Sequence, residues 1–172
     1  MQIFKFGGAS AKDADGIRNI TKIIKEYGSS QNLLVVVSAM GKTTNALEDL
    51  TKAFFNRQDN THDIFEQIKK YHFDIINQLF DGAEKEKVID DISNQFVEVD
   101  WIIEDEPHDE FDYVYDQIVS IGELVSTKIV SAYLNANQVQ NKWVDARGYI
   151  QTDNTYREGK VDWNLSSTLI QN

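Results

Sequence analysis

The chain is 172 residues long, with 41% hydrophobic and 26% charged residues, which suits one soluble domain with a real core and is short for two. Its 28 acidic and 17 basic residues give a net charge of −11, which argues against nonspecific nucleic-acid binding because that needs a basic surface to displace counterions. The absence of cysteine excludes disulfides and thiolate metal sites and fits a cytoplasmic protein; no run approaches the roughly 18–20 apolar residues of a membrane helix, and no signal-peptide pattern opens the chain.

In chain order, residues 2–6 read as a buried strand that runs straight into Gly7 and Gly8. Residues 13–27 follow as a helix with Ile17, Ile20, Ile24 and Tyr27 on one face, stopped by Gly28, Ser29 and Ser30. Residues 33–37 form a continuous apolar run of the kind found in parallel strands covered on both faces. Strand, helix, strand makes a βαβ unit and so a parallel sheet. Thr44 or Asn45 is placed to cap the next helix, which carries Leu47, Leu50 and Phe54. A helix over 61–80 carries Ile64, Ile68, Ile75 and Leu79; Asp81 and Gly82 break it, and a third carries Val88, Ile92, Phe96, Val99 and Ile103. Half of the acidic residues fall between Asp81 and Asp116, as a solvated helical face plus a loop around the sole proline, Pro107. Residues 111–135 read as one long helix, 138–144 as a strand, 149–152 as a short strand, and 161–171 as strand then helix.

Two polar loops containing glycine stand out. Lys5, Gly7, Gly8 and Ser10 sit at the C-terminal end of the first strand, and Ser38, Gly41, Thr44 and Asn45 at that of the second. Open α/β sheets bind ligands at these ends, near helix N-termini, so the two loops describe one site for an anion. Gly41-Lys42-Thr43 is not a Walker A tail, because the required earlier glycine is Val36. Gly7-Gly8-Ala9-Ser10 lacks the dinucleotide spacing. His62, His72 and His108 are scattered without metal-ligand spacing, and no metal ligands are assigned.

Lys5-Phe6-Gly7-Gly8-Ala9-Ser10, Val37-Ser38-Ala39-Met40-Gly41-Lys42-Thr43-Thr44-Asn45, Ser120-Ile121-Gly122-Glu123 and Val144-Asp145-Ala146-Arg147 stand in the order and approximate spacing of one family. Across essentially its whole length the chain resembles the N-terminal part of an aspartate kinase catalytic domain, in the amino acid kinase superfamily. The resemblance implies an α/β fold, a three-layer αβα sandwich of the carbamate kinase-like type, with a mainly parallel sheet and a helical insertion at about 57–110. It implies transfer of the γ-phosphoryl group of ATP, with Mg²⁺, to the β-carboxylate of L-aspartate, the first step toward lysine, threonine and methionine. It places Lys5, Gly7, Gly8 and Ser10 on the ATP phosphates, with Lys5 catalytic. Ser38, Thr44, Asn45, Glu123 and Arg147 fall on the aspartate side, Glu123 pairing with the α-ammonium.

The chain departs from the family at Ala9, where a threonine is common. It also ends before the Gly-Arg-Gly-Gly-Ser-Asp-like loop, the nucleotide-binding half and the regulatory ACT domains, so residues 1–172 are expected to be one truncated domain, inactive alone, within a homodimeric full-length protein. The alternatives are a kinase of glutamate or N-acetylglutamate, or a non-catalytic binding or assembly module with the same fold.

Overall fold

The N-terminal sequence builds a strand, a helix and a strand from an apolar run, a capping acid and a second apolar run. In the computed structural model, which describes residues 1–28 and 32–171, strand β1 (Gln2–Phe6) lies parallel to β2 (Leu33–Val37), with Gln2 opposite Leu33 and Phe6 opposite Val37. Helix α1 (Ala14–Tyr27) connects them. Asp13 starts α1 by accepting the Gly16 N–H at 2.8 Å, which satisfies one orphan donor of the first turn. Ile17, Ile20 and Ile24 form the buried stripe, while Tyr27, expected on the same face, is exposed. Gly28 closes the helix with its N–H on the Ile24 carbonyl at 2.9 Å; Ser29 and Ser30, expected to share that stop, lie outside the described residues.

The apolar run of β2 predicts cover on both faces, and β1 was expected to be buried. Among the described residues only one face is covered. Phe4, Phe6, Leu33, Val35 and Val37 join the core or pack on it, whereas Ile3, Leu34 and Val36 remain 58%, 47% and 44% exposed. Strand side chains alternate, so outward positions as apolar as the inward ones simply have no layer against them.

Helices α2 (Thr43–Phe55), α3 (Thr61–Leu79), α4 (Gly82–Glu104), α5 (Phe111–Val119) and α6 (Ile121–Ala136) follow. Helix α2 packs on α3, α5 and α6; α4 bridges α3 and α6; α6 also meets β2. The insertion is therefore no separate lobe, and its core is continuous with that of the βαβ unit. Phe96 of α4 is the hub, its ring meeting Phe65 at 5.7 Å, His72 at 5.7 Å and Phe73 at 6.1 Å, each edge to face.

Four expectations need correcting. Helix α2 begins at Thr43 after Lys42, with no side-chain cap from Thr44 or Asn45, because the Thr43 N–H and hydroxyl both turn back onto the Met40 carbonyl, at 2.9 and 2.6 Å. Residues 111–135 form two helices that meet at Ser120, just before Gly122, a Ser/Gly combination at which helices commonly kink. Residues 138–144 form no strand. With no strand alongside them among the described residues, they are held by side chains: Trp143 Nε1 donates to Thr127 Oγ1 at 2.9 Å and the Lys128 ammonium lies 4.7 Å from the Trp143 ring centroid. The short strand at 149–152 reduces to one antiparallel bridge, Thr152 with Val161, ahead of helix α7 (Trp163–Gln171). No described helix is long and apolar enough to cross a membrane.

Two stability predictions follow from the packed helices. Phe96→Ala should lower unfolding stability by roughly 3–5 kcal/mol in urea melts, the range for emptying a buried aromatic site. Burial pulls the His72 imidazole down from 6.5 to about 4, against a weaker upward pull from the Ile68 carbonyl. The folded state then binds fewer protons than the unfolded chain between about pH 6.5 and 4. Stability from this group is complete above that window and falls by about 3 kcal/mol as pH drops through it; His72→Gln should remove that part of the acid limb in melts taken across the same range.

Candidate functional site

Two loops leave the same end of the sheet, 7–12 after β1 and 38–42 after β2. The Ser38 N–H extends the ladder to the Phe6 carbonyl at 3.0 Å, and the Gly41 N–H donates to the Gly8 carbonyl at 3.0 Å. A β-carbon on Gly8 would lie 2.7 Å from the Ala39 carbonyl oxygen and 3.0 Å from that of Gly41. Both obstacles are backbone, so only glycine lets the loops close this far.

The first loop folds on itself, the Ser10 N–H reaching the Gly7 carbonyl at 2.9 Å and the Ala11 N–H the Gly8 carbonyl at 3.3 Å. The amides of Gly7, Gly8 and Ala9 have no backbone acceptor among the described residues, and successive free amides make an anion cradle. Lys5 Nζ stands 3.7 Å from the place a β-carbon would take on Gly7, bringing a full positive charge beside that cradle. Ser10 is exposed at the rim.

A second group of free amides opens helix α2. Thr43 N–H is used by Met40 and Ala46 N–H by Lys42, while the amides of Thr44 and Asn45 between them have no acceptor among the described residues. Their side chains are exposed. A helix N-terminus with free donors and partial positive charge suits a carboxylate or phosphate.

Helix α6 supplies the acid. Ala39 N–H donates to Glu123 Oε1 at 3.3 Å, and Ser126 Oγ donates to the Ser38 carbonyl at 2.8 Å. Those two backbone atoms belong to one peptide group, so α6 grips both ends of the Ser38–Ala39 bond. Close approach is possible because residue 122 is glycine: a β-carbon there would meet Ala39 Cβ and Leu47 Cδ1 at 3.1 Å. Glu123 Oε2 has no hydrogen-bond partner among the described residues.

The structure thus gathers Lys5, Gly7, Gly8, Ser10, Ser38, Thr44, Asn45 and Glu123 around the paired loops. Arg147 is not brought to them. In the 3₁₀ turn Ala146–Gly148 its Nε and Nη2 fork onto Asp145 at 3.0 and 2.7 Å. That hydrogen bonding holds the Asp145 carboxyl below its usual range and raises the Arg147 guanidinium. The neighbouring Asp153 is occupied by the backbone of its own turn, accepting from the Thr155 and Lys160 amides. Among the described residues no group of three His, Asp or Glu is placed to hold a metal ion.

Sequence reasoning missed Ala39, Thr43 and Ser126. Ser126 lies three residues beyond Glu123 and so shares its helix face, a legible signal. Ala39 acts through its backbone amide, which leaves no trace in residue type.

Gly8→Ala should therefore force the loops apart and lower stability by roughly 1–3 kcal/mol. Gly7→Ala, whose β-carbon meets only the far end of Lys5, should stay within about 0.5 kcal/mol of wild type. Parallel urea melts separate the two outcomes.

A family model described as the amino acid kinase family matches residues 1–172. The bifunctional aspartokinase/homoserine dehydrogenase 2 of Escherichia coli (strain K12) is 28% identical over 170 residues, covering 99% of this chain and 20% of that protein. Among solved structures, E. coli aspartokinase III in complex with lysine and aspartate (T-state) superposes with a TM-score of 0.87 at 23% identity, covering 99% of this chain and 37% of that one. The same enzyme with aspartate and ADP (R-state) gives 0.76 at 22% identity, with the same coverage. These likenesses show the shared α/β fold, and the chain spans only 20% of the first of these relatives and 37% of each solved structure.

Proposed function

This chain belongs to the amino acid kinase family, and on that premise we propose that it is the N-terminal part of one aspartate kinase catalytic domain, with the helical insertion at about 57–110. The whole protein would transfer the γ-phosphoryl group of ATP to the β-carboxylate of L-aspartate, giving 4-phospho-L-aspartate. One observation carries the reading: two sets of free amides, one beside Lys5 and one opening α2, lie on paired loops next to the uncommitted oxygen of Glu123. Such a site complements a ligand pair with two anionic ends and one cation. A nucleotide phosphate and an amino dicarboxylic acid have that pattern, and the solved relative with aspartate and ADP binds such a pair.

Lys5 and the Gly7 and Gly8 amides would hold the ATP phosphates, with Ser10 at the rim. The Ser38 hydroxyl and the Thr44 and Asn45 groups would hold an aspartate carboxylate, while Glu123 takes the α-ammonium and so fixes which carboxylate faces the phosphate. ATP supplies the transferable group. The β-carboxylate is ionised at neutral pH, so its oxygen can form the new bond to phosphorus as the bond to ADP breaks, with no general base. The obstacle is repulsion between two anions. Fixed donors are worth roughly 3–4 kcal/mol each against it in a site shielded from water. The described residues offer no carboxylate cluster for a magnesium ion; Mg²⁺ would enter on the oxygens of the nucleotide itself.

The test is ATP-dependent formation of aspartyl hydroxamate by the whole protein, with glutamate and N-acetylglutamate as competing acceptors. Lys5→Ala should lower kcat by about 10²-fold or more. Glu123→Gln should raise KM for aspartate at least about tenfold, with KM for ATP near wild type. Preference for N-acetylglutamate, which has no ammonium for Glu123, would refute the assignment.

A further inference from the structure

Helix α3 reaches both loops with two consecutive side chains that hold no ligand in the reading above. Tyr71 donates its hydroxyl proton to the Lys12 carbonyl at the end of the first loop. Its oxygen lies 2.7 Å from where a β-carbon would stand on Gly41, the residue of the second loop with φ +56°. His72 is fully buried. Its Nδ1 faces the Ile68 carbonyl at 2.8 Å, which assigns the ring proton to Nδ1 and turns the Nε2 lone pair toward Thr43 Oγ1 at 3.5 Å. Thr43 Oγ1 gives its one proton to the Met40 carbonyl at 2.6 Å, so the ring of His72 supports the threonine by packing against it. The two rings brace each other edge to face, 5.1 Å apart.

We propose that Tyr71 and His72 are positioning residues that set the spacing between the 7–12 and 38–43 loops, and with it the distance between the phosphate and acceptor each loop holds. The proposal rests on the aspartate kinase reading for its reaction, but its geometry is independent of that reading. Gly41 sits in the left-handed region with no side chain of its own, so beyond its N–H bond to Gly8 and the hold of α6 on the Ser38–Ala39 peptide the loop is shaped by what packs against it. Tyr71 presses there and ties down Lys12; His72 supports Thr43, whose hydroxyl closes the Met40 turn from which α2 starts. Each loop keeps its own free amides without this brace and so keeps its affinity. What the brace fixes is their relative placement, and misplacement by about 1 Å can lower a transfer rate on the order of 10²-fold.

The whole protein is tested as wild type, Tyr71→Phe, His72→Leu and His72→Gln. The measurements are aspartyl hydroxamate kinetics, calorimetric ADP binding, and hydrogen exchange of peptides covering 38–43. Tyr71→Phe and His72→Leu should lower kcat about tenfold or more, keep both KM values within about twofold, bind ADP at wild-type stoichiometry, and speed exchange at 38–43. His72→Gln, whose amide fills the space near the Nε2 position and can donate to the lone pair left on Thr43 Oγ1, should recover most of the loss. Tyr71→Phe carries the test by itself if His72→Leu does not fold. Wild-type kcat and exchange in Tyr71→Phe overturn the proposal, as does a rate loss matched by an equal loss of ADP stoichiometry. If wild type makes no aspartyl phosphate while the variants still show faster exchange at 38–43, the kinase reading fails and the spacing role of the two residues stands.

Discussion

The approach of the Gly8 backbone to residues 39–41 is the constraint on which the site depends. Parallel strands β1 and β2 bring their C-terminal ends together, but ordinary side chains would keep the following loops apart. Glycine at 8 lets the carbonyls of Ala39 and Gly41 come within the space of a β-carbon, and the Gly41 N–H then bonds across the gap. Once those backbone groups satisfy each other, the remaining amides on either side are left for a ligand. The free donors are thus a by-product of one close contact.

The same economy explains how an acidic chain can host an anion. A net charge of −11 gives no general attraction for phosphate, so any surface that binds one has to be local. Backbone amides and a helix terminus bring partial positive charge without changing the residue count, and Lys5 adds one full charge beside them. The acid-rich stretch between Asp81 and Asp116 lies on α4, the following turn and α5, away from the two loops in sequence. Its charges work locally instead: Asp91 pairs with Lys128, Asp100 with Lys69 and Asp112 with Arg157.

Much of this architecture is legible in residue order, and the illegible parts share a cause. Helices α1, α3 and α4 announce themselves through apolar spacing, and both loops through glycine after an apolar run. The break at Ser120 is hidden because Ile118, Ile121 and Leu124 keep a helical spacing straight across it. Residues 138–144 have a strand-like composition, but a strand needs a neighbour, and here Trp143 and Asn141 anchor the segment to α6 through side chains. β2 reads as covered on both sides because apolarity records a preference for burial, not a partner. Glu123 is conspicuous after Gly122, yet its partner is a main-chain amide 84 residues away. Tyr71 and His72 fall within an amphipathic helix, where core packing is the ordinary reading of such residues.

That separation has a consequence for how the protein assembles. The bonds from α6 to the Ser38–Ala39 peptide close chain loops of 84 and 88 residues, with four helices between their ends. Closure over such a distance is unfavourable until the intervening segments have packed. Loop-closure entropy therefore favours forming the acid side of the site after the helical layer rather than before it. A molecule that binds only the finished pair of loops stabilises that whole layer by mass action, so it acts as a folding ligand. Damage deep in α3 or α4 would then register first as weakened ligand binding, before any loss of helix is visible.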